Sequence, residues 1–155
     1  MNRKKMMKSL WYIRLIKLER WYMRPNKGAY RRDAEEDLEQ LLYNKKDGFR
    51  LAKSSCVHAQ QYAEKMIKDK IVDFDVDPQK IHDLVTLLFK LSDISSTKID
   101  DNILFLAGSL SRFYISLRYP CPEPITASPE AAENAFEWAI EIVDWVDKNI
   151  KSEKQ

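Results

Sequence analysis

Apolar positions recur every three or four residues along most of the chain, and the breaks between runs are short. That period belongs to helices that bury one face. Residues 5–23 place Met7, Trp11, Leu15, Leu18 and Tyr22 on one side, with Lys5, Ser9 and Arg20 on the other. "RPNKGA" (24–29) brings Pro25 and Gly28 and reads as a break. A second helix is predicted from about Tyr30 to Lys46, with Ala34, Leu38, Leu41 and Leu42 as its stripe. Its acids Glu35, Glu36, Asp37 and Glu39 gather in the N-terminal half, where they complement the helix dipole. The short turn "NKKDG" calls for an antiparallel neighbour. That neighbour is predicted over Phe49–Val72, with Phe49, Ala52, Cys56, Ala59, Ala63, Met66 and Lys70 as its seam. Gln60, Gln61, Glu64, Lys65 and Lys68 fall off that seam.

Asp77 is suited to cap a fourth helix, Pro78–Leu91, with Pro78 at its first position. A fifth, Asp101–Leu117, turns Ile103, Leu106, Ala107, Leu110, Phe113, Tyr114 and Leu117 inward. "YPCPEPITASP" holds four prolines in eleven residues and cannot be helix. Ser128 then caps a sixth, Pro129–Ile150, which carries two apolar stripes. Phe136, Ala139, Ile140, Val143, Val146 and Ile150 form one; Trp138, Ile142 and Trp145 form the other. One stripe suits the bundle. The second asks for another partner, either helix 5–23 or a second subunit, so Trp138, Ile142 and Trp145 are the expected interface. The pattern predicts an all-α, antiparallel up-and-down bundle of about five core helices over residues 30–150. A basic amphipathic extension (1–29) precedes it and a tail (151–155) follows.

Composition agrees. The chain has 155 residues, 45% hydrophobic and 32% charged, with only three glycines. That length suits one domain, which buries roughly two-thirds of its unfolded surface without a staple. Two cysteines, Cys56 and Cys121, make no disulfide framework and fit a reducing cytoplasm. No apolar run approaches the roughly 18 residues of a spanning helix. Charges interrupt the N-terminal apolar stretch, which argues against a secretory signal. The net charge of +2 hides an asymmetry. Residues 1–32 hold eleven Lys or Arg and one acid, a net +10, so the remainder is −8.

Several enzyme signatures are absent: a Gly-rich phosphate loop, His-Glu-x-x-His and paired Cys-x-x-Cys. Cys56 and His58 lie two apart on a helix, hence about 200° apart, and cannot share a metal. They read as a buried cysteine and a surface histidine, and neither metal nor cofactor is expected.

Four pieces carry more together than singly. They are "DAEEDLEQLL" (33–42), "CVHAQQYAEKMIKDKI" (56–71), "KIHDLVTLL" (80–88), and "LRYP" (117–120) followed by "AAENAFEWAIEIVDWVDKNI" (131–150). In this order and spacing the chain resembles the HEPN domain family, named for higher eukaryotes and prokaryotes nucleotide-binding, over about residues 30–150. The resemblance implies a helical bundle that usually dimerises, with a cleft for nucleotides or RNA. It also implies a partner, a small minimal nucleotidyltransferase, often paired as toxin and antitoxin. Catalytic members cut RNA without metal, through an arginine followed after four to six residues by a histidine. The histidine moves the 2′-hydroxyl proton and the arginine stabilises the phosphorane. Here Arg118 matches the arginine, but the windowed positions are Glu123, Pro124 and Ile125, and both histidines, His58 and His82, lie upstream. The resemblance therefore supports binding more than cutting, and no catalytic residue is assigned.

Arg118 ends a helix, where a cation meets the dipole, and Pro120 forces Tyr119 to be extended. It reads either as a helix-end arginine paired with an acid or as a phosphate contact. On the second reading Arg118 holds a phosphate, Tyr119 stacks on a base, and Lys65 and Lys68 add charge. Gln61, Glu64 and His82 complete the candidate binding set. The leading expectation is a non-catalytic nucleotide- or RNA-binding homodimer. The alternatives are a structural adaptor without nucleotides, or an endoribonuclease using His58 or His82. The basic helix 5–23 packs on the last helix, meets nucleic acid, an acidic partner or anionic lipid, or precedes a start at Met23.

Overall fold

The computed structural model describes residues 26–120, 122 and 126–152. The expected helix 5–23 lies outside the described residues. Five helices follow in order: α1 (Ala29–Lys46), α2 (Ala52–Asp73), α3 (Leu84–Ser95), α4 (Asp101–Arg118) and α5 (Pro129–Asn149). No strand interrupts them among the described residues.

α1 starts at Gly28, whose φ of +77° is a left-handed value that suits glycine. Ala34 and Leu41 are buried as predicted, but Leu42 is 45% exposed, because the stripe is narrower than expected. Asp37 and Asn44 take buried places on the same face. After α1 the chain turns through Gly48 and Phe49, at φ +62° and +54°. Phe49 therefore cannot begin α2, which starts at Ala52 instead. A left-handed non-glycine residue costs ~1–2 kcal/mol. Burial of the Phe49 ring, 4% exposed and 6.1 Å from the Phe136 ring, offsets this by ~2–3 kcal/mol.

α2 is the central helix and packs against all four others. That position explains why Gln60, Glu64 and Lys68, expected on a polar face, are all buried. The small residues Ala59 and Ala63 are fully buried and let the neighbours approach closely.

α3 starts six residues later than predicted. Asp77 does not cap it. Its Oδ1 accepts from Gln79 N at 2.8 Å, which closes a turn, and Gln79 itself sits at φ +61°. The cap is Asp83, whose Oδ2 accepts from Thr86 N at 2.8 Å and from Thr86 Oγ1 at 2.6 Å. α4 ends at Arg118 because Tyr119 is extended, φ −120° and ψ 142°, ahead of Pro120. α5 is capped by Ser128, whose Oγ accepts from Ala131 N at 3.1 Å, with Pro129 in its first turn.

Neighbouring contacts set the directions. Asp37 meets His58 and Arg31 meets Asp69, so α1 and α2 are antiparallel. Phe113 meets Trp138 and Asp100 meets Trp145, so α4 and α5 are antiparallel. Phe49 meets Phe136 and Lys70 meets Asp147, so α2 and α5 run the same way. The connection from α2 to α3 returns along the bundle, since the His82 carbonyl reaches back to Gln60 Nε2 at 3.1 Å. One end of the bundle therefore gathers the starts of α2 and α5 and the end of α4, while α3 starts beside the middle of α2.

Both stripes of α5 are largely covered within the chain, because it packs against α2 and α4 together. Ile142 is fully buried. Trp138 lies 6.0 Å from the Phe113 ring, and Trp145 Nε1 donates to Asp100 Oδ2 at 2.7 Å. The separate apolar face expected from these three residues is thus mostly internal. No helix is long and apolar enough to cross a membrane among the described residues.

Candidate functional site

Arg118 stands at the end of α4, exposed to solvent. Its Nη1 donates to the Tyr114 hydroxyl at 2.7 Å, and its guanidinium carbon lies 4.7 Å from the Tyr114 ring centroid. Residues four apart on a helix are neighbours, so this clasp is local. A planar guanidinium over an aromatic ring is held by the ring quadrupole. Among the described residues no carboxylate forms an ion pair with Arg118. Among the described residues its partner is the Tyr114 hydroxyl.

Tyr114 in turn stacks on His82, with centroids 5.9 Å apart and planes 16° apart. His82 is fixed from behind. Its Nδ1 lies 3.0 Å from Glu64 Oε1, and its carbonyl accepts from Gln60 Nε2. Glu64 Oε1 also accepts from Lys68 Nζ at 2.7 Å, and Glu64 Oε2 accepts from Gln60 Nε2 at 2.9 Å. The Gln60 amide can point only this way. The reverse orientation would set its oxygen against two other acceptors. Its Oε1 is the one buried side-chain oxygen or nitrogen without a partner among the described residues.

The Glu64 and Lys68 side chains are 9% and 6% exposed. Breaking a buried pair of this kind leaves a charge uncompensated, at a cost of about 3–5 kcal/mol. Lys68 also lies 5.8 Å from the Tyr30 ring. Burial raises the Tyr30 pKa above its ordinary value, and the charges of Asp77, Glu64 and Asp33 raise it further. The ladder runs Lys68, Glu64, His82, Tyr114, Arg118, from the buried middle of α2 out to the exposed end of α4.

Of the predicted binding residues, the structure therefore joins Arg118, His82, Glu64 and Lys68. Lys68 is buried on Glu64 and acts as its counter-charge. Lys65 joins a different group. Its Nζ donates to Asp37 Oδ2 at 2.6 Å, and Asp37 Oδ1 lies 2.8 Å from His58 Nδ1. Gln61 is partly buried and lies between the two groups on the α2 surface. Tyr119 is 60% exposed beside Arg118. Sequence reasoning missed Gln60, Tyr114 and Asp37. The i, i+4 spacing of Tyr114 and Arg118 was an available signal. His58 is not a bare surface histidine, since Asp37 holds it, whereas Cys56 is fully buried as expected.

Among the described residues no group of three or more His, Cys, Asp or Glu is placed to hold a metal. Residues 123–125, where the resemblance would place a histidine, lie outside the described residues. The corner sets a guanidinium and a half-exposed imidazole beside the exposed ring of Tyr119.

The bundle is shared with known proteins. The family model of the HEPN domain matches residues 28–150. The crystal structure of ST0689, an archaeal HEPN homologue, superposes with a TM-score of 0.62 at 26% identity, covering 82% of this chain and 99% of that one. No curated protein matches the chain. With the family model spanning four-fifths of its length and the same bundle in a homologue, the chain belongs to the HEPN domain family.

Proposed function

We propose that this chain is a non-catalytic nucleotide- or RNA-binding module of the HEPN type. It acts as a cytoplasmic homodimer with a minimal nucleotidyltransferase, in a toxin–antitoxin type pair. The observation that carries the reading is the Arg118–Tyr114–His82 ladder. It holds an exposed guanidinium in place at a bundle corner without a carboxylate to neutralise it among the described residues. A phosphate would meet Arg118 at low ordering cost, since Tyr114 already fixes the side chain. Tyr119 and the exposed part of His82 offer ring faces for a base. Lys68, Glu64 and Gln60 position the ladder from behind.

Titration with ATP and with a short single-stranded RNA tests the reading. Wild type binds at least one of them, and Arg118→Ala weakens that binding by roughly tenfold or more. Equal affinity for both proteins, or none for either, removes the site.

A structural adaptor is the second reading. Phe89, Phe105 and Ile115 are 53%, 69% and 57% exposed on α3 and α4, which is unusual for large apolar side chains. Light scattering over a dilution series separates the readings: an adaptor loses its assembly in Phe105→Ser yet binds no nucleotide.

A further inference from the structure

One groove of about 530 Å³ runs along the outer face of α5. Phe136, Ile140 and Trp145 form its apolar floor, and Glu137, Glu141 and Asp144 stand along it. α5 holds six acids and one lysine, so this is the most acidic helix surface described. The described chain begins on a neighbouring face of the same helix end. Gly28 shares a hollow with Asp147 and Lys151, and Arg31 Nη2 lies 3.7 Å from Asp147 Oδ1. Asp147 precedes Lys148, which lines the groove about 100° further round the helix.

Residues 1–25 therefore join the body at the last turn of α5. They carry eight Lys or Arg against one acid, a net +7. Their apolar side, Met7, Trp11, Leu15, Leu18 and Tyr22, recurs at helical spacing. As a helix, residues 5–23 would reach about 28 Å, and the groove from Phe136 to Asn149 covers about 20 Å. Point of attachment, charge and apolar pattern favour one occupant. We propose that the chain's own basic segment 5–23 docks in the α5 groove, with Trp11 and Leu15 toward its floor and its cations along Glu137, Glu141 and Asp144.

The docking is intramolecular. A short connection keeps the segment at a high effective concentration, so a modest contact suffices.

Hydrogen exchange on the full chain tests the proposal. The wild-type amides of residues 10–22 should be protected by roughly tenfold or more over the free-chain rate, equally at low and high protein concentration. The triple variant Glu137→Lys, Glu141→Lys, Asp144→Lys should lose that protection while α2 amides keep theirs, which shows that the fold survives. Adding Arg14→Glu and Lys17→Glu to the triple variant should restore it. Three results overturn the proposal: free-chain exchange in the wild type, protection that survives the charge reversal, or protection that rises with concentration. The last would assign the groove to a second copy. Because the readout is exchange in the segment, its failure leaves the Arg118 reading intact.

Discussion

The His82 ring stacks nearly parallel to the Tyr114 ring, 5.9 Å between centroids and 16° between planes. This contact links a loop residue ahead of α3 to the last turns of α4. It joins the buried charges of α2 to the exposed Arg118.

Tyr114→Phe tests the clasp with least disturbance. The ring and its stack on His82 remain, and only the hydroxyl that accepts from Arg118 is lost. Ligand affinity should fall several-fold, while stability changes by no more than about 1 kcal/mol. Titration calorimetry with a denaturation curve checks both; unchanged affinity would show that the clasp does not position Arg118.

Glu64→Gln acts on the other end of the ladder. It leaves Lys68 buried without a counter-charge. Urea unfolding should show a loss of about 3 kcal/mol, and Glu64→Gln with Lys68→Met should recover part of it. A loss below about 0.5 kcal/mol would place this pair with surface pairs.

Helix capping gives a prediction that separates sequence expectation from structure. Asp83→Ala should destabilise by about 1 kcal/mol, because it removes the acceptor for Thr86 N. Asp77→Ala removes only a turn contact and should cost less. The reverse order in urea midpoints would return the cap to Asp77.

Burial pushes the Cys56 thiol from 9.0 up to about 11. Between these values the unfolded thiol releases its proton while the folded one keeps it. The unfolded state then binds fewer protons, so stability falls as pH rises through this window. Each pH unit is worth up to about 1.4 kcal/mol for this one group. Tyr30 and Tyr62, both raised chiefly by burial, add to the decline above 10. Denaturant midpoints across the window should drop, with a shallower drop in Cys56→Ala; a flat profile would contradict the buried thiol.

The helices were readable because their stripes repeat over many residues, and Ser128 and Pro120 mark two ends by local chemistry. The start of α3 was not. Asp77–Pro78 and Asp83 are both sound caps in sequence, and only the left-handed Gln79 decides between them. Arg118 was legible from the proline break beside it. The separation of Lys65 from Lys68 was not, because it depends on Asp37 arriving from α1. Burial of Gln60, Glu64 and Lys68 likewise follows from four neighbours around α2, and a single helical period cannot report that number.

The most direct measurement is the map of backbone amide chemical shifts during ATP or short-RNA titration of the full chain. The account predicts shifts concentrated at His82, Tyr114, Arg118 and Tyr119, with a smaller response at Glu64 and Lys68. Their loss in Arg118→Ala should be accompanied by an otherwise unchanged spectrum. Shifts centred on His58, Lys65 or the α5 groove, or no shifts with either ligand, would contradict it.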